Sequence, residues 1–92
     1  MIEMEERDRK RMLRDTRRMT RTLFKRLKEW SQYTSGGTEA REEVSISNAI
    51  LRCLDFERSL REHRRGPKDA GVRQMENIER EVDTVLMNTT RS

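Results

Sequence analysis

Residues Arg7 to Trp30 read RDRKRMLRDTRRMTRTLFKRLKEW, a stretch holding eleven Lys or Arg side chains and three acids. Two patterns run through it. Leu13, Thr16, Thr20, Leu23, Leu27 and Trp30 recur at alternating steps of three and four, with Met12 and Met19 beside them. That is the spacing of an apolar seam along one face of a helix. Arg7, Arg11, Arg14, Arg18, Arg21, Lys25 and Lys28 recur at steps of four and three, and all seven positions are basic. At about 100° per residue, the second row falls nearly opposite the first, on the face turned away from a core. Lys10 and Arg17 widen its edge, while Asp8, Asp15 and Glu29 fall along one flank. The stretch therefore encodes a long helix with an apolar side and a cationic side.

Outward from this helix, Ser35-Gly36-Gly37 and Gly66-Pro67 interrupt the chain and read as turns. They predict three helices, over about 4–33, 39–64 and 69–89, within a single helical domain spanning residues 1–92. Thr38 suits the N-cap of the second helix, with Glu39, Glu42 and Glu43 near its positive end. Pro67 and Asp69 suit the start of the third, against which Gly71 weighs. On the second helix Ile46, Ala49, Ile50, Cys53, Leu54 and Leu60 read as one apolar face, with Glu57 intruding on it. On the third, Met75, Ile78, Val82, Val85 and Leu86 follow the spacing of a packed seam. No segment alternates as a strand does, so the expected class is all-α.

Composition bounds what such a chain can do. Of its 92 residues only 32% are apolar while 41% are charged. So thin a core rarely stabilises a small domain alone, and helices sharing a bundle core across a homodimer would relieve the shortage. Leu13, Leu23, Leu27, Trp30, Ile50 and Leu54 are the residues expected to supply that core. One Cys and one His leave neither a disulfide nor a metal ligand set, and no cofactor is expected. Gly36-Gly37 follows a helix and not a strand, so it is no phosphate-cradling loop. His63 stands among Arg61, Glu62, Arg64 and Arg65 with no nucleophile or carboxylate pair placed to use it, so no enzymatic activity is expected. With no apolar run of membrane-spanning length and no signal-peptide core, the expected setting is cytoplasmic or nuclear, not secreted.

The net charge of +4 is unevenly spread: residues 1–28 hold eleven bases and five acids (+6), and residues 29–92 hold ten bases and twelve acids (−2). The cationic row spans 21 steps, about 32 Å, close to one turn of a nucleic-acid duplex. Arginine predominates in it, which favours bidentate grip on phosphate. A face that served only solubility would interleave acids to limit repulsion. The expected function is therefore sequence-independent binding of double-stranded nucleic acid, with Arg7, Lys10, Arg11, Arg14, Arg17, Arg18, Arg21, Lys25 and Lys28 on phosphates. No Asn or Gln stands in the row to read adenine, and the few aromatics do not form the platforms that single strands need. Recognition by shape and phosphates places duplex RNA ahead of DNA. The alternative partner is an acidic protein surface, which a helical interaction module or inhibitor would dock. A membrane surface ranks last, because the face opposite the cations is needed for the core.

In layout, though not in any motif matched residue by residue, the chain is similar to small viral proteins that bind duplex RNA and suppress RNA silencing. Nodaviral suppressors and the N-terminal domain of the influenza non-structural protein are examples. They are all-helical dimers that present Arg-rich helices. The analogy implies the same class of function and carries over no site.

Overall fold

The computed structural model describes residues 4–31, 41–62 and 68–90, and it places three helices there: α1 (Glu6–Ser31), α2 (Arg41–Glu62) and α3 (Lys68–Asn88). The described residues contain no strand. The three helices follow in the expected order, and the expected ends at 33, 39 and 64 lie outside the described residues. The proposed turns, the Thr38 cap, Tyr33, His63 and Pro67 lie outside the described residues.

Cross-helix contacts fix the topology. Lys68 meets Asp8 at 3.4 Å, Thr16 meets the Met75 sulfur at 3.6 Å, and Arg26 reaches the Leu86 carbonyl at 2.8 Å. The offset between partners stays at 59 or 60 residues along the whole length, so α1 and α3 run parallel. Arg17 meets Glu57 at 2.9 Å and Arg52 meets Glu81 at 3.1 Å. Together with a Thr20–Cys53 contact, these set α2 antiparallel to both neighbours. The result is an up-down-up bundle of 50 × 21 × 16 Å.

The seam of α1 supplies the centre of the bundle. Met12, Leu13, Thr16, Thr20 and Leu23 are buried, and Leu27 and Trp30 are half-buried. Two threonines on a buried seam would be costly with idle hydroxyls. Here each donates back along the helix, Thr16 to the Met12 carbonyl (2.6 Å) and Thr20 to the Thr16 carbonyl (3.0 Å). Ile46, Ala49, Ile50, Cys53, Phe56 and Leu60 of α2 and Met75, Ile78 and Val82 of α3 complete the interior. Gly71, which argued against a helix from sequence, lies inside α3, buried against Met4 and Met12. A missing side chain there lets α3 approach α1 closely.

One residue expected in the shared core is not buried within the single chain. Leu54 is 41% exposed, and Phe56 is buried in its stead. Leu54 lies about 40° beyond Ile50, the last buried position on that side, and so rotates past the interior. Glu57, the apparent intruder, falls within the buried arc but is neutralised by Arg17 (2.9 Å) and Arg61 (2.8 Å).

Candidate nucleic-acid interface

α1 carries eleven bases, and the bundle sorts them into two groups. Arg9 and Arg26 turn toward the protein. Arg9 is buried and paired with Glu6. Arg26 donates from Nη1 to the Leu86 carbonyl and, at 3.2 Å, to the Thr89 hydroxyl. It thereby places a cation at the C-terminal end of α3, where the free carbonyls and the helix dipole favour one. Trp30 joins it, its indole N–H donating to the Thr89 carbonyl at 2.9 Å. The other nine bases are Arg7, Lys10, Arg11, Arg14, Arg17, Arg18, Arg21, Lys25 and Lys28, and all nine are exposed.

The nine differ in how far the protein itself satisfies them. Arg7, Arg11 and Arg14 lie 3.7–3.9 Å from Glu5, Asp8 and Asp15, loose contacts that stabilise little at such exposure. Arg17 is committed to Glu57. Lys10, Arg18, Arg21, Lys25 and Lys28 make no ion pair among the described residues. The second half of the row, from Arg18 to Lys28, therefore presents four uncompensated cations over about 15 Å of helix. Three of the four arginines of α2 are treated otherwise: Arg52, Arg58 and Arg61 each hold an acid within 3.2 Å.

The acidic flank expected from sequence is split. Asp15 and Glu29 stay near the surface beside Arg14 and Arg26, but Asp8 is buried between Arg11 and Lys68. Sequence spacing gave no sign of this, because Lys68 comes from another helix.

Beside the row, an open groove of about 750 Å³ runs between α1 and α2. Lys10, Arg14, Arg17 and Arg21 rim it, Leu13, Thr20 and Phe24 contribute its apolar part, and Glu57 adds an acceptor. Phe24, which the sequence pattern assigned to neither face, is 50% exposed at its end. Its spacing of seven from Arg17 could have shown this, since both fall on the edge of α1 that faces α2.

Nothing in the arrangement supports nucleophilic chemistry at Cys53. Burial pushes its thiol up, against the opposing effect of a hydrogen bond with Thr20, so the protonated, unreactive form prevails. Among the described residues no three His, Cys, Asp or Glu side chains are grouped to hold a metal ion, and no helix is long and apolar enough to cross a membrane.

No protein-family model matches this chain, and no curated protein or solved structure matches it.

Proposed function

We propose that the protein binds double-stranded nucleic acid through the cationic face of α1, preferentially duplex RNA and without regard to sequence, as a homodimer. The observation that carries this reading is the set Arg18, Arg21, Lys25 and Lys28, exposed and without acidic partners among the described residues. Like charges at three- and four-residue spacing each cost a helix a few tenths of a kcal/mol. A row of external phosphates removes that cost and releases the counterions condensed on the duplex.

The face offers planar forks and ammonium groups and no side-chain amide, a set suited to phosphates, which position a protein without informing it of sequence. The preference for RNA rests on shape: a helix face can cross the shallow minor groove and meet phosphates and 2′-hydroxyls on both sides. Thr22, exposed beside Arg18, spends its proton on the Arg18 carbonyl (3.0 Å), which leaves its oxygen able to accept from a 2′-hydroxyl. In a cell, such binding would sequester duplex RNA from the enzymes that process it.

A gel-shift series at fixed salt tests this. Two unrelated 20-base-pair RNA duplexes should bind within about threefold of each other, since phosphate contacts carry no sequence information. The matching DNA duplex should bind more weakly, and single strands weakest of all. Strong discrimination between the two RNA sequences would refute backbone recognition.

A further inference from the structure

The chain leaves a second surface unexplained. Although apolar residues are scarce, Val44, Leu51 and Leu54 of α2 stand 41%, 58% and 41% exposed, and Phe24 of α1 is 50% exposed. These are four of the five large exposed hydrophobics among the described residues; Met87, at the far end of α3, is the fifth.

Three of the four share one face of α2. At about 100° per residue, Val44, Leu51 and Leu54 fall within one arc of roughly 80° on α2, Val44 and Leu51 facing away from the core and Leu54 toward the edge that adjoins α1. Moving seven residues up α1 from Arg17 and seven back along α2 from Glu57 brings Phe24 level with Ile50, one residue from Leu51. Phe24 shares the α2-facing edge of α1 with Arg17. The exposed apolar row of α2 thus lies on the outer side of the α1–α2 pair, with Phe24 beyond its edge among the cations of α1.

We infer that a second copy of this chain covers the patch, with the two α2 helices antiparallel across a two-fold axis and Leu51 of each copy against Leu54 of the other. Charge selects this occupant. α1 carries eleven bases and four acids (+7), whereas α2 carries four bases and five acids (−1). Two copies cannot bring their α1 faces together without heavy repulsion. The nearly neutral α2, with acids and bases interleaved, is the helix that can approach its own copy. An acidic partner would be drawn to α1 and has no electrostatic reason to seek this patch. Placing α2 at the axis sends the two cationic rows to the outer flanks, both open to a ligand.

The inference rests on the homodimer reading and is independent of what the cationic face binds. Sedimentation equilibrium of the full chain tests it. The wild-type protein should be dimeric at micromolar concentration. Leu51→Lys/Leu54→Lys should raise the dimer dissociation constant at least about 100-fold, as loss of a central apolar contact does. Its helix content at low temperature should persist, because both side chains are already exposed in the single chain. Leu54→Gln, milder in case the double variant does not fold, should raise the constant about tenfold, and Met87→Lys should leave it unchanged. A wild-type protein that is monomeric at 100 μM, or an unchanged constant in either leucine variant, would overturn the inference. Failure to bind any duplex, with these results intact, would count only against the nucleic-acid reading.

Discussion

Charge reversal at Arg18, Arg21 and Lys25 together (each to Glu) is expected to weaken duplex RNA binding by at least about 1000-fold at moderate salt, without loss of helix. The size follows from the number of contacts. Three residues per protomer remove six phosphate contacts from a dimer, each a charge-assisted hydrogen bond of roughly 1.5–3 kcal/mol net of its exchange with water. The three added carboxylates per protomer also repel the backbone. All three side chains are exposed and without ion-pair partners among the described residues, so the fold loses no contact that they make. Removing three like charges from one helix face relieves repulsion, and the melting temperature should stay level or rise. Filter binding gives the affinity, and circular dichroism gives the helix content. Retention of binding within tenfold would place the interface elsewhere on the molecule.

An effect as large, but on folding, is expected for Leu23→Asp. Leu23 is wholly buried at the centre of the α1 seam. Truncating a buried leucine alone costs about 2–5 kcal/mol, and burying a carboxylate without a partner adds several more. A domain of this size has on the order of 5 kcal/mol to lose. The variant should be unfolded at 25 °C by circular dichroism and should not dimerise. Leu27→Asp should be milder, because Leu27 is only half-buried and its new charge can reach water. Equal loss in both variants would mean that Leu27 is covered by something outside the single chain, and a second copy would be the first candidate.

The first helix was legible in the sequence because the chain states it twice over, once in the seam from Leu13 to Trp30 and once in the basic row opposite. The nine exposed bases of α1 were legible for the same reason: spacing on one helix fixes which residues share a face. Features that join two helices were not. Arg26 and Asp8 look like surface charges on a helical wheel, and only the parallel register of α1 and α3 brings Leu86 and Lys68 to them. The exposure of Leu54 and the burial of Phe56 within the single chain were not legible, because three-four spacing leaves the centre of an apolar arc uncertain by a residue or two. On α2, where apolar side chains occupy more than one face, that uncertainty decides which ones are buried.

The salt dependence of duplex RNA binding tests the central claim most directly. With three or four phosphate contacts per protomer, hence six to eight in a dimer, a plot of log affinity against log salt should have a slope of about −5 to −7. In Arg21→Ala it should be shallower by about two, one contact being lost from each chain. A wild-type protein that binds no duplex tighter than tens of micromolar at low salt would contradict the account, and an acidic protein partner would then take the place of the nucleic acid.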